Sequence, residues 1–186
     1  MKRCFDLILS SVLILLLFIP LLIVVLIIKL TSKGPSIHWS KRIGKDNKTF
    51  RMPKFRTMIS STPQVATHLL DNPDSFYSPF GIFLRKSSLD ELPQLLSIIK
   101  GDMSFVGPRP ALFNQSDLME SRARKGIHEL TPGLTGWAQV NGRDELSIKQ
   151  KVEFDEEYLK RQSLYFDIYI LWLTLLKSLR VRNISH

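Results

Sequence analysis

Residues 7–28 form an almost unbroken run of Leu, Ile, Val and Phe, interrupted only by Ser10, Ser11 and Pro20. At about 1.5 Å per residue the run gives roughly 33 Å of helix, enough to cross a bilayer. Beyond it the periodic segments are shorter. Residues 37–40 and 49–52 read as two strands paired as a hairpin across 44–48. Leu89, Leu92, Leu95, Leu96 and Ile99 recur at helical spacing, which predicts a helix over 88–100 ended by Gly101-Asp102. Further helices are expected over 111–125 and 148–161. A turn is expected at Thr131-Pro132-Gly133, and a short strand over 137–140 ending at Asn141-Gly142. Residues 60–79 are polar, with Pro63, Pro73 and Pro79, and suggest a short helix between loops. No series of alternating strands and helices appears, so a doubly wound sheet is not expected.

The last periodic segment, 164–182, is apolar up to Leu176 and basic at Lys177, Arg180 and Arg182. It carries Tyr165, Phe166, Tyr169 and Trp172. This pattern suits a helix lying in a membrane interface, with an ordinary core helix as the alternative. The N-terminal run reads as a permanent anchor rather than a signal peptide, because no small-residue cleavage site follows it. Its flanks are both basic: Lys2 and Arg3 before, Lys29, Lys33, Lys41 and Arg42 after. Basic flanks tend to stay on the cytoplasmic side. Pro20 cannot donate a backbone hydrogen bond and its ring crowds the preceding turn, so a bend is expected there. Spanning and re-entrant arrangements both remain open on this pattern. The domain division is a membrane anchor over 1–30 and one globular domain over 31–186, of mixed α/β class and mainly helical.

The 186 residues include 26 Lys and Arg against 17 Asp and Glu, for a formal net charge of +9. That balance favours nucleic acid, an anionic membrane surface or phosphorylated substrates. The cations are dispersed and fit no reader motif, which sets nucleic acid aside. Cys4 is the single cysteine, so an internal disulfide and a thiolate zinc site are both excluded. His38, His68, His128 and His186 show no ligand spacing and read as structural or surface residues. No Gly-rich phosphate loop of the usual nucleotide-binding kinds is present.

Two features carry candidate chemistry. The first is Asp90-Glu91. Ser88 with Glu91 fits a capping box, and acids are favoured in a first helical turn. The same position has Arg85 and Lys86 nearby, which would keep Asp90 ionised and nucleophilic. Spacing alone leaves both readings standing. The second feature is a set of cations in stiff settings: Arg109 between Pro108 and Pro110, Arg143 after Asn141-Gly142, and Lys54 and Arg56 flanking Phe55. Stiff loops lose little entropy on gripping a ligand, and guanidinium matches phosphate in a bidentate way.

Taken in order, the motifs resemble the small bacterial sugar transferases, the monotopic phosphoglycosyl transferases also called polyprenyl-phosphate hexose-1-phosphate transferases. The resemblance runs nearly end to end. It begins with Lys2-Arg3-Cys4-Phe5-Asp6 and the anchor bearing Pro20, and continues through Lys54-Phe55-Arg56-Thr57-Met58 and the stretch from Leu84 through Asp90-Glu91-Leu92-Pro93-Gln94. Gly101-Asp102-Met103-Ser104-Phe105-Val106-Gly107-Pro108-Arg109-Pro110 follows, and Pro132-Gly133-Leu134-Thr135-Gly136-Trp137-Ala138-Gln139-Val140-Asn141-Gly142-Arg143 closes it. The family usually has Ser before the anchor proline, where this chain has Ile19.

The resemblance implies a re-entrant helix–break–helix with Pro20 at the break, in the bacterial inner membrane, with a catalytic domain on the cytoplasmic face. It implies that Asp90 is a nucleophile that takes a phosphosugar from a UDP-sugar and releases UMP. Undecaprenyl phosphate then accepts the phosphosugar, as the first membrane step of a glycan or glycoprotein pathway. Glu91 completes the dyad, and Mg²⁺ sits near Asp90. Lys54, Arg85, Arg109 and Arg143 bind phosphate or nucleotide-sugar groups. Two rivals stand beside this reading: a membrane-bound phosphohydrolase using the same aspartate, and a non-enzymatic scaffold that binds anionic lipid.

Overall fold

The computed structural model describes residues 1–59, 62, 73–142 and 145–182. Among them are five short strands: β1 (Ile37–Ile43), β2 (Thr49–Phe55), β3 (Ser104–Val106), β4 (Ala111–Leu112) and β5 (Gly133–Thr135). The α-helices are α1 (Lys2–Thr31), α2 (Gly81–Lys86), α3 (Leu95–Lys100), α4 (Ser116–Arg124), α5 (Trp137–Val140), α6 (Ile148–Arg161) and α7 (Leu164–Arg182). The class is mixed α/β and mainly helical, as the pattern predicts.

The expected hairpin forms and is longer than its sequence signal. β1 and β2 pair antiparallel from Ile37 opposite Phe55 to Ile43 opposite Thr49. Asp46 and Asn47 take φ of 55° and 57° in the turn, a conformation these two residue types tolerate better than most. β4 pairs with the other edge of β1, placing Arg42 opposite Leu112 and giving the order β2-β1-β4. A separate parallel pair joins β3 to β5, with Ser104 opposite Gly133 and Val106 opposite Thr135.

Several expectations are corrected. The helix over 88–100 is two pieces, a 3₁₀ turn over Leu89–Gln94 and then α3, because Pro93 lacks the amide that a continuous α-helix needs. Residues 111–112 are strand, and the helix expected over 111–125 begins only at Ser116. The turn at 131–133 leads into β5, and 137–140 is one helical turn rather than a strand. Pairing with β3 uses up the extended residues just upstream, and the Val140 amide then bonds back to the Gly136 carbonyl. In the polar segment, residues 60, 61 and 63–72 lie outside the described residues; Pro73–Phe76 is a 3₁₀ turn, and α2 follows it unpredicted. α6 and α7 occupy the predicted spans, and α6 opens on a capping box between Ser147 and Gln150.

The main core gathers α3, β3, α6 and α7 around Leu95, Ile98, Met103, Phe105, Tyr158 and Ile170. α7 packs one side against this core. Phe166, Asp167 and Ile170 are buried, while Tyr165, Ile168, Tyr169, Trp172 and Leu175 lie bare on the other side.

α1 is helical throughout, with Pro20 inside it, and is long and apolar enough to cross a membrane. Its middle is exposed, including Leu15, Leu16, Phe18, Ile19 and Leu22, yet both its ends dock on the same globular body. At the start, Lys2 donates to Asp167 at 2.6 Å, Arg3 donates to the carbonyls of Ile98 and Ile99, and Asp6 accepts the Phe105 amide at 3.1 Å. Toward the end, Val24 and Ile28 pack with Phe55 and Leu84. Arg56 then donates to the carbonyls of Ser32 and Lys33 at 2.9 and 2.7 Å.

Candidate active site

Asp90 and Glu91 stand in the first turn of the 3₁₀ segment, directly after Ser88, whose backbone is left-handed at φ 57°. Such a conformation costs a non-glycine residue about 1–2 kcal/mol and turns the chain sharply out of α2. The capping box expected of Ser88 and Glu91 does not form. The Glu91 carboxylate points elsewhere: its Oε1 accepts from Lys54 Nζ at 2.8 Å and from an Arg109 Nη2 at 3.0 Å. Glu91 is 13% exposed and Lys54 16%, so water screens this ion cluster little. Burial pushes the Glu91 carboxyl up, but Arg109 and Lys54 outweigh it and hold the group well below the usual carboxylate range.

Asp90 behaves differently. It is buried, and among the described residues no hydrogen bond reaches its carboxylate. Burial is the largest influence and pushes it up to about 6, with the Glu91 charge adding to the rise and Lys54, Arg85 and Arg109 opposing it. Desolvation therefore exceeds the pull of the surrounding cations, and a carboxyl raised to about 6 is still largely ionised at neutral pH. Adjacent carboxylates pushed to opposite ends of their range are a pattern of working acid–base sites.

The cations come from three places in the chain. Lys54 is on β2, opposite His38 of β1. Arg85 ends α2, its guanidinium over the Tyr77 ring at 5.4 Å and donating to that hydroxyl at 2.9 Å. Arg109 rides on the 107–110 loop, which is clamped from behind. The Gly107 amide donates to the Thr135 carbonyl at 2.9 Å, and the Gly133 amide to the Pro108 carbonyl at 3.0 Å. A Cβ on Gly107 would lie 2.4 Å from the Thr131 carbonyl oxygen, so glycine there is a requirement of backbone contact. Arg122 then grips the Arg109 carbonyl at 2.8 Å while paired with the buried Asp155 at 2.6 Å.

Sequence reasoning missed Arg42, Tyr77 and the Arg122–Asp155 clamp. Arg42 carried a faint signal, since His38, Ser40 and Arg42 alternate on one strand face with Lys54 across from the first of them. Arg122 and Asp155 meet across 33 positions and carried none. The fold brings together Asp90, Glu91, Lys54, Arg85 and Arg109. Arg143 lies outside the described residues, and Pro20 sits within the exposed middle of α1.

The sequence profile of the bacterial sugar transferases matches residues 1–181. The chain belongs to this family. It is thus a bacterial sugar transferase, an enzyme, as the motifs suggested. It is 39% identical over 188 residues to the UDP-glucose:undecaprenyl-phosphate glucose-1-phosphate transferase of Escherichia coli strain K12, covering 96% of this chain and 40% of that protein. It is 38% identical over 190 residues to the exopolysaccharide production protein ExoY of Rhizobium meliloti strain 1021, covering 94% and 83%. Over 191 residues it is 37% identical to the undecaprenyl-phosphate galactose phosphotransferase of Salmonella typhimurium, covering 94% and 39%. The transferase thus spans about two fifths of the length of the two enterobacterial relatives.

As to a metal, no cluster of three or more His, Cys, Asp or Glu side chains occurs among the described residues. The described residues therefore form no all-protein cage. A Mg²⁺ held by one carboxylate together with substrate phosphates needs only a single uncommitted carboxylate, and Asp90 fits that role. Glu91 fits it less well, because two cations already share its Oε1.

Proposed function

We propose that this transferase moves a sugar 1-phosphate from a UDP-sugar to undecaprenyl phosphate in two steps through Asp90. A carboxylate oxygen of Asp90 attacks the sugar-bearing phosphorus, the bond to the bridging oxygen breaks, and UMP leaves with that electron pair. A phosphate oxygen of the lipid then attacks the same phosphorus and frees Asp90. The observation that carries this reading is the Asp90 carboxylate itself, buried and unbonded among Lys54, Arg85 and Arg109. A carboxylate with no hydrogen-bonded partner keeps its lone pairs for attack, and the surrounding cations offset charge on the transferring phosphoryl group. Mg²⁺, when bound, supplies further neutralisation of the diphosphate beside Asp90. Glu91, ionised, fixes Lys54 and Arg109 in place. The acceptor and the UDP donor are carried over from the printed names of the relatives; since these include both glucose and galactose enzymes, the sugar stays open.

One water-soluble and one lipid substrate meet at one site if the body sits at the headgroup plane. Docking of both ends of α1 on one body supports a re-entrant anchor, since a straight spanning helix would carry its two ends to opposite faces of the bilayer. The bare aromatic side of α7 supports an interfacial placement for that helix. The orientation favoured by the basic flanks puts the catalytic domain on the cytoplasmic face.

The test is UMP release from a panel of UDP-sugars by detergent-solubilised protein with Mg²⁺ and undecaprenyl phosphate. Wild type should release UMP with at least one sugar, and Asp90→Asn should lose the activity by a factor of at least about 10³. Full activity in the variant would sink the mechanism. Release without lipid phosphate, at the same rate, would favour the phosphohydrolase.

A further inference from the structure

We propose that Arg42 is an additional phosphate-binding residue of this site, presenting its guanidinium beside Arg109 to a phosphate group of the donor or of the acceptor. The proposal rests on the phosphoglycosyl transfer reading above. Arg42 lies on β1, the central strand of the β2-β1-β4 sheet, so its backbone is held on both sides. It is partly buried, and its hydrogen bonds are two: Nε donates to Ser40 Oγ at 3.0 Å, and Nη1 to the Pro110 carbonyl at 3.3 Å. A guanidinium has five N–H donors. Its remaining donors, both on Nη2 among them, have no partner among the described residues.

The charge is equally unmatched. No carboxylate among the described residues lies within ion-pair distance of Arg42. Its closest carboxylate influence, Glu91, is already engaged by Lys54 and Arg109 on one oxygen. Burial first, and then the neighbouring Arg109, pull the Arg42 guanidinium down to about 10, with Glu91 opposing them. A cation that is desolvated, repelled and short of a counter-ion is costly to keep in a folded protein. Among the described residues Arg42 thus brings a cation without a carboxylate of its own to a site where Glu91 is already shared by Lys54 and Arg109, an excess of positive charge suited to an anion. Holding the Pro110 carbonyl does not explain that excess, because a neutral amide would serve as the donor. A phosphate does explain it, since the guanidinium fork matches two phosphate oxygens.

Two phosphate sources pass through the site: the diphosphate of the nucleotide sugar and the monoester of the polyprenyl lipid. Steady-state kinetics of full-length wild type, Arg42→Gln and Arg42→Lys separate them, with Asp90→Asn as control and thermal unfolding alongside. We expect Arg42→Gln to raise KM about tenfold or more for one substrate while kcat falls less, with Arg42→Lys restoring part of the loss. A rise confined to the UDP-sugar assigns Arg42 to the diphosphate; a rise confined to undecaprenyl phosphate assigns it to the lipid. Calorimetry with inorganic pyrophosphate should show a matching loss of affinity in the first case. Unchanged KM for both substrates overturns the proposal, as does a loss of kcat that only tracks a lowered unfolding temperature. If Asp90→Asn stays fully active, the aspartate reading fails on its own, and the KM and pyrophosphate results still judge Arg42.

Discussion

At Asp90, folding and the proposed attack on phosphorus pull in opposite directions. Its carboxyl is pushed up to about 6 in the folded protein, by burial above all, from an ordinary 3.8. A folded value above the unfolded one means that the protonated form is the one the fold favours. The stability contributed by this group is therefore full below about pH 4 and is lost as pH rises through about 6. Asp90→Asn should accordingly unfold at a higher temperature than wild type at neutral pH, by roughly 1–3 kcal/mol, with the gap closing toward pH 4. Thermal unfolding in detergent across that range checks it; an equal gap at both ends would detach the effect from titration. The proposed attack by Asp90 needs the ionised form, so kcat/KM for UMP release should rise with pH through about 6 in the same enzyme. Activity and this part of the stability then move in opposite directions over one pH interval.

At the scale of elements, the 107–110 loop is held by backbone laid directly against backbone. The β3–β5 pair is only three residues long on each side, so it depends on close approach rather than on length. A Cβ at Gly133 would come within 2.1 Å of the Gly107 nitrogen and 2.3 Å of the Thr135 oxygen. Gly133→Ala should therefore spread the pair, displace Arg109, and cost more than about 2 kcal/mol together with most UMP release. Gly126→Ala is the matched control: its φ is +73°, but nothing lies within 4 Å, so about 1 kcal/mol and near-normal activity are expected. Equal losses in the two variants would show that the close approach is not what positions the loop. The elements that sequence periodicity placed well were the longest or best capped, α1, α6, α7 and the hairpin. Those it misplaced are short pieces of two to six residues, where pairing partners or a proline rather than period decide the conformation.

At the scale of the whole molecule, α1 is tied to the body through Lys2 and Asp167, with Tyr158 donating to the same carboxylate at 2.7 Å. Lys2 also donates to the Val106 carbonyl, one residue before the 107–110 loop, and the Tyr158 hydroxyl oxygen lies 3.2 Å from the same carbonyl oxygen. α1, α6, α7 and the strand leading into the 107–110 loop thus share one partly buried polar junction. If both ends of α1 stay with the body, they must lie on one face of the membrane. Cys4, which is exposed, and a single cysteine placed at Lys33 in a Cys4→Ser background should then both react with a membrane-impermeant thiol reagent from the cytoplasmic side only. Labelling of the two positions from opposite sides would replace the re-entrant anchor with a spanning one.

The sequence by itself determined the apolar N-terminal helix, the hairpin, the charged and aromatic helices at the C-terminal end, and the dyad with its candidate cations Lys54, Arg85 and Arg109. These are legible because periodicity, capping and motif order are local properties that the chain displays along its own length. What only the tertiary structure decided is how the charges meet. Burial raised Asp90 against its cations, while Glu91 was claimed by Lys54 from β2 and Arg109 from a loop 18 residues away. Pairing of β4 with β1 brought Arg42 beside Arg109, and a glycine-to-glycine backbone contact held that loop. Desolvation and long-range pairing depend on which surfaces come together, and no local pattern records that.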